Sequence, residues 1–249
     1  MVIRPAFAVV ATLIAMVDLG GRRVANRLGP ATPATLATPA QVAEAAQWPG
    51  AMHDAAHSGA TNARGPSSGR LRWTRRLEGV VTPGPAVAAD ETIYAASNAG
   101  ILHAIDLRSG KDRWSFDAQQ SYGNDLSTTP VVLPDGRIVW PGPGNQLYLL
   151  TPEGRVVSTT RLDGFVLSPA FDSARSILYA QDMSGRLWSF AVTPKALRKR
   201  WTLDLGGVSY ASPAIAPDGS VRSAAGNDLV AIVDHVNRGA VRWRFPTGT

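Results

Sequence analysis

Tryptophan recurs in this chain at a nearly constant interval. The segments GRLRW, GKDRW and GAVRW end at Trp73, Trp114 and Trp243, each with a glycine four residues before the ring, whereas LRKRW ends at Trp201 without that glycine. GRVVS, ending at Ser158, keeps the glycine and loses the ring. Positions 73, 114, 158, 201 and 243 are separated by 41, 44, 43 and 42 residues. A period this steady requires one supersecondary unit made repeatedly, each copy burying a face against the next.

Each period has the same internal order. A short apolar run carrying Pro comes first (GPAVA, TPVVL, SPAFD, SPAIA), followed by a turn with Asp90, Asp135, Asp172 or Asp218. A second run, TIYAAS, RIVWPG, SILYAQ or SVRSAA, leads to a turn at Asn98, Asn145, Asp182 or Asn227, residues that tolerate left-handed backbone. The third run is ILHAID, QLYLLT, RLWSFA or DLVAIV, and the fourth carries the Trp position. Four short strands in about 40 to 45 residues make one β-propeller blade. The expected fold is all-β: a partial β-propeller of about four four-stranded antiparallel blades, over residues 84–118, 126–162, 166–205 and 210–247, with an extra N-terminal strand at Trp73.

The best copy is ASNAGILHAIDLRSGKDRW, residues 96–114. Its third strand has apolar residues on both faces, as a doubly covered strand requires. Asp106 to Gly110 reverses the chain, with glycine free to take positive φ. Trp114 then covers the seam to a neighbouring blade, burying about 200 Å².

Ala104, Asp106, Ser109, Gly110, Lys111 and Trp114 together resemble the tryptophan-docking motif of the pyrroloquinoline-quinone (PQQ)-like propellers. The segment WPGAMHDAAHSGATNARGP, residues 48–66, is similar to the segment that opens members of that family. The resemblance covers residues 48–249 and weakens along the chain. It marks Trp73, Ala104, Asp106, Gly110, Trp114, Trp201, Gly239 and Trp243 as blade-docking residues. It implies seven or eight blades, and relatives that include both quinoprotein dehydrogenases and the non-enzymatic propeller of outer-membrane protein assembly. Because Trp243 already fills the outer place of the fourth blade, the Trp73 strand is surplus. The chain therefore reads as a truncated or partial gene product whose open sheet edges invite self-association. A closed four-blade ring and two halves joined as a dimer are the rival readings.

Residues 1–20 read as an apolar helix that serves as a signal peptide or membrane anchor. The apolar run at 6–17 has 12 residues, short for a spanning helix of about 20 and suited to the core of an export signal or a membrane tether. Residues 21–47, rich in Pro, Ala and Thr, read as a disordered linker. Residues 48–249 form the repeat domain. The net charge of +6 rests on arginine, with Lys111, Lys195 and Lys199 the only lysines. The basic run Lys195, Arg198, Lys199, Arg200 reads as a solvated hairpin tip. Without aromatic and basic residues interleaved to stack bases, no nucleic acid is expected.

Candidate chemistry is sparse. Cysteine is absent, which excludes disulfides and thiolate chemistry. His53 and His57 stand at i and i+4 and could share a metal on a helical turn; packing and turn bonding is the preferred reading, so no metal is expected. His103 aligns with Tyr148 and Trp188 and reads as a wall residue. Asp204, Asp228 and Asp234 read as turn and strand-end acids. An enzymatic member of the family would need a PQQ pocket with a calcium-binding acidic set, and neither that set nor adjacent cysteines occur. The chain is thus expected to bind no cofactor, with PQQ and calcium as the alternative. The function expected is that of a non-catalytic, exported propeller scaffold for an unknown protein or cell-envelope component. The alternatives are a partial or inactive quinoprotein dehydrogenase and an extracellular ligand sensor.

Overall fold

The computed structural model describes residues 12–14, 48–62, 64–123 and 128–248, and among these there is no helix. Four four-stranded antiparallel sheets follow one another, each with its strands in chain order from the inner edge to the outer. The first blade comprises β3 (Ala86–Val87), β4 (Thr92–Ala96), β5 (Ile101–Asp106) and β6 (Asp112–Asp117). The second is β7 (Val131–Val132), β8 (Ile138–Gly142), β9 (Gln146–Leu150) and β10 (Val156–Arg161). The third is β11 (Ala170–Asp172), β12 (Ile177–Gln181), β13 (Arg186–Val192) and β14 (Leu197–Asp204). The fourth is β15 (Ala214–Ile215), β16 (Val221–Ala225), β17 (Asp228–His235) and β18 (Arg238–Pro246).

The sheets stack face to face, so their middle strands lose water on both sides. β4, β8 and β12 are buried at every position, which is why they read as continuous apolar runs rather than as alternation. Between the first two blades, the Phe116 ring meets Trp140 edge-on at 6.0 Å and Tyr148 at 5.2 Å. Between the second and third, Leu147 and Leu149 pack with Leu178, Phe190 and Leu197. Between the third and fourth, Tyr179, Leu187 and Trp201 pack with Val221, Val230 and Ile232.

The outer strands repeat a finer feature. Trp114 lies opposite Ala104, Ser158 opposite Leu149, Trp201 opposite Ser189 and Trp243 opposite Ala231. A bulge immediately precedes each of these four positions, and the extra residue is Arg113, Val157, Arg200 or Arg242. A bulge bends its strand and increases local twist, and here it brings every tryptophan position to the same place on successive sheets. The bulged arginines then reach carboxylates: Arg113 donates to Asp90 and Asp106, and Arg242 to Asp218.

Ahead of the blades lies a separate two-stranded pair, β1 (Thr12–Ile14) with β2 (Thr74–Arg76), antiparallel in the register Thr12 to Arg76. These three residues of the apolar run expected to be helical are instead extended. Their composition allows it, since Thr and Ile are β-branched and β2 offers an unpaired edge. The rest of the expected apolar helix, the linker at 21–47 and any membrane tether through 6–17 otherwise lie outside the described residues. No helix among the described residues is long and apolar enough to cross a membrane.

The turn after β5 shows how the repeat closes. Asp106 accepts hydrogen bonds from the Ser109 amide at 2.8 Å, the Ser109 hydroxyl at 2.7 Å and the Arg108 amide at 3.2 Å. Gly110 donates to the Asp106 carbonyl at 2.8 Å with φ at 69°. The Ser109 hydroxyl and amide, then Arg113, stabilise the ionised carboxylate and lower its pKa to about 2. Because that pKa is depressed, its stabilisation is present above the unfolded value near pH 4 and is lost as pH falls through about 2. Urea midpoints should therefore favour the wild type over Asp106→Asn at pH 5, with the difference shrinking steadily toward pH 2; a gap that stays constant contradicts this account of the turn.

Candidate functional site

The tryptophans act across seams, each on the sheet that follows its own. The Trp73 ring lies on Gly110, where an added Cβ would sit 2.6 Å from Cδ2. Its Nε1 donates to the Leu107 carbonyl at 3.0 Å. Trp114 covers Gly154 in the same manner, with a Cβ there 2.7 Å from Cδ2 and Nε1 donating to the Pro152 carbonyl at 2.8 Å. Trp201 covers Gly239, again at 2.7 Å. Its Nε1 donates instead to Asp234 Oδ1 at 2.8 Å, because the fourth blade has one more residue between its acid and its glycine than the first. Ala104 is fully buried opposite Trp114.

The outer strand of the second blade has no tryptophan, and the third blade's turn has no glycine to receive one. Plug and socket are absent together. Arg137 takes over the polar half of the contact, donating through Nη1 to the Thr193 carbonyl of that turn at 2.7 Å, and buried Leu197 supplies apolar contact.

The third seam contains the most buried ion pair. Asp234, with its side chain 1% exposed, accepts from Arg200, from the Tyr179 hydroxyl at 2.6 Å and from Trp201 Nε1. Burial alone would raise the Asp234 pKa; the bonds from Arg200, Tyr179 and Trp201 outweigh it and hold the carboxyl below its ordinary value. Burial and the Asp234 carboxylate in turn push the Tyr179 phenol well above its usual range. Arg200 is therefore not part of a solvated tip, and Lys199 lies over the Trp188 ring at 5.7 Å. The sequence carries a signal for these arginines, since Arg72, Arg113, Arg200 and Arg242 each precede a seam tryptophan.

The segment before the blades runs along their inner edges. Trp48 exchanges two backbone bonds with Val87, Val132 donates to the Pro49 carbonyl at 2.7 Å, and Ile215 donates to that of Ala55 at 2.6 Å. It thereby ties the first, second and fourth blades. Met52, His53 and His57 have positive φ, so HDAAH is a string of turns, and the two histidines do not share a helical face. Asp54 caps Ser58 through its amide at 3.0 Å and its hydroxyl at 2.5 Å. Buried His103 has Nε2 3.1 Å from Glu78.

This segment and the inner turns of all four blades enclose a groove of about 1260 Å³. Its carboxylates are engaged by neighbours: Asp54 by Ser58, Asp90 by Arg113, Asp172 by Arg175 and Asp218 by Ser220. Among the described residues, no three His, Asp or Glu side chains converge as metal ligands.

The outward face of the fourth blade is different in kind. Trp243 is 38% exposed, and Leu229, Val236, Val241 and Phe245 are exposed beside it on β17, β18 and their connecting turn, with Tyr210 and Val208 on the loop that leads into the blade. The guanidinium of Arg222 lies over the indole, at 5.2 Å.

The sequence family described as the outer membrane protein assembly factor BamB matches residues 59–129 and 98–249. The chain belongs to this family of PQQ-like repeats. Among solved structures, BamB from Moraxella catarrhalis is similar at a TM-score of 0.56 and 19% identity over 71% of this chain and 55% of that one. Quinohemoprotein alcohol dehydrogenase from Comamonas testosteroni gives 0.65 and 14%, covering 82% of this chain and 41% of the enzyme. The quinohemoprotein alcohol dehydrogenase ADHIIG from Pseudomonas putida HK5 gives 0.55 and 15%, covering 72% and 38%. The chain thus spans about half the length of these proteins or less, and likeness at such identity shows the fold alone. No curated protein sequence matches the chain.

Two substitutions test the seams. Gly154→Ala meets both a φ of 80° and the Trp114 ring, whereas Gly206→Ala meets a φ of 75° with nothing within 4 Å. Chemical denaturation should show a loss of about 1–2 kcal/mol for Gly206→Ala, from backbone strain alone, and a further loss of about 1–3 kcal/mol for Gly154→Ala. Asp234→Ala strands buried Arg200 and should cost about 3–5 kcal/mol, read from the same unfolding curves; a change below 1 kcal/mol would show that the cluster is not holding the third seam.

Proposed function

We propose that the chain is a non-catalytic, extracytoplasmic PQQ-like β-propeller repeat protein that serves as a protein-interaction or cell-envelope scaffold. The observation that carries this reading is the fourth blade's exposed apolar face, with Trp243, Val241 and Phe245 on one strand. A cluster of exposed apolar residues on one strand is the kind of surface that marks a site of protein association. The ionisable groups with shifted titration favour the same reading: Asp106, Asp234 and Tyr179 are each engaged in turn or seam bonding. Membership in the BamB family is consistent with export, and the apolar run at 6–17 is the feature of the sequence suited to it.

The dehydrogenase reading has one observation in its favour, the likeness to alcohol dehydrogenases that include a TM-score of 0.65. It would require the inner groove to hold the quinone, and the groove's carboxylates are engaged elsewhere.

A photo-crosslinking residue placed at Tyr210 or Val236 in the full chain, followed by cell fractionation, tests the proposal. Discrete crosslinked bands in the envelope fraction are expected, absent when the probe is moved to fully buried Trp140. Saturable binding of PQQ with calcium, accompanied by dye-linked alcohol oxidation, would overturn it.

A further inference from the structure

Val87, Val132 and Ile215 hold equivalent places on the inner strands of the first, second and fourth blades. The residue before each, Ala86, Val131 or Ala214, faces Tyr94, Val139 or Arg222. The residue after each donates back to its own sheet, Ala88 to the Thr92 carbonyl, Leu133 to that of Arg137 and Ala216 to that of Ser220. In an antiparallel ladder bonded pairs alternate with unbonded ones, so the backbone between them points away from the sheet. There it meets the leading segment: Val87 exchanges two bonds with Trp48, Val132 donates to Pro49 and Ile215 to Ala55.

Phe171 is the same position in the third blade. Ala170 faces Tyr179 and Asp172 faces Ile177, in the register of the other three. Among the described residues, none pairs with the outward backbone of Phe171. Between its holds at Pro49 and Ala55, the leading segment turns away. His53 donates to the Gly50 carbonyl at 3.3 Å and Gly59 to that of Met52 at 2.8 Å, while Met52 and His53 take φ of 56° and 83°, a conformation unfavourable for residues that carry a Cβ. The segment thus passes from the second blade to the fourth without pairing with the third.

The uncovered edge lines the inner groove, whose volume of about 1260 Å³ exceeds the about 300–1,000 Å³ of small-molecule sites and gives space for several residues of extended chain. Pro49, Ala51, Val131, Pro134 and Pro169 make much of the lining apolar, and the nearby carboxylate of Asp172 is bound to Arg175.

We propose that the inner edge of the third blade binds an extended segment of a partner protein by strand addition, the Phe171 backbone exchanging two bonds with it as Val87 does with Trp48. The occupant is a peptide because the three equivalent edges all hold peptide. Its bonding residue is not proline, since it must donate to the Phe171 carbonyl, and its neighbours carry small apolar side chains to suit the lining. This site lies apart from the exposed face of the fourth blade, so it goes beyond the scaffold reading and stands or fails separately.

The probe is a fluorescein-labelled heptapeptide of alternating valine and alanine with a lysine at each end, together with a twin N-methylated at its three central residues. Titrated with the full chain and followed by fluorescence anisotropy, the peptide should bind saturably and its twin at least tenfold more weakly. Hydrogen exchange read by NMR should show the Phe171 amide slowed at least tenfold by the peptide. Phe171→Pro removes the outward N–H without breaking a ladder bond and should weaken binding at least tenfold; if circular dichroism shows that this variant has lost its sheets, the N-methylated twin decides the matter on the wild-type chain. Trp243→Ala should bind as the wild type does. No saturable binding up to about 1 mM overturns the proposal, and so does equal affinity for the twin, which would be adhesion through side chains. Binding abolished by Trp243→Ala would belong to the fourth blade and likewise overturn it. So would protection of the Phe171 amide without peptide, which assigns the edge to a second copy where it rises with protein concentration and to the chain's own residues where it does not.

Discussion

An indole resting on a residue without a side chain is the contact on which the rest of this structure depends. The ring needs a flat floor, and only a glycine turn supplies one, because any Cβ at Gly110, Gly154 or Gly239 would stand within 2.7 Å of ring carbon. Removing such a ring is the kind of change that costs about 3–5 kcal/mol. The contact fixes how closely neighbouring sheets approach and so fixes the period of the sequence. Where one partner has been lost, at Ser158, the other has gone too, and Arg137 with Leu197 holds that seam by other means.

The polar groups follow from the same arrangement. Bulges at Arg113, Arg200 and Arg242 place a guanidinium beside each tryptophan. In the first and fourth blades it ties the outer strand back to the inner turn of its own sheet. In the third it crosses the seam to Asp234, where Tyr179 and Trp201 complete the coordination of the carboxylate. A charge buried to this degree is tolerable only when every acceptor direction is met. The ionisable side chains with the clearest geometry therefore serve cohesion, and the fourth blade leaves an apolar surface exposed.

Much of the architecture was legible because it is local. Turn residues and apolar runs recur within each period, and the four sheets fall where those runs predict them. What was not legible depends on register and on the next repeat. Gly110 and Trp114 are neighbours in one motif, yet each contacts a residue from a different repeat. Asp234 aligns with Asp106 and so reads as a turn acid, but one additional residue before Gly239 points it into the seam. The HDAAH spacing suggests one helical turn, whereas pairing with three inner strands forces positive φ at His53 and His57.

The leading segment has a consequence for how the molecule is made. Neighbouring blades contact residues about one repeat apart, so each can settle soon after the ribosome releases it. The bond from Ile215 to Ala55 spans nearly the whole array, and closing so long a loop must wait. The Ala55 end of the segment synthesised first is thus the last to be locked in place, whereas its Trp48 and Pro49 end can pair with the inner edges of the first two blades long before the fourth exists to receive it.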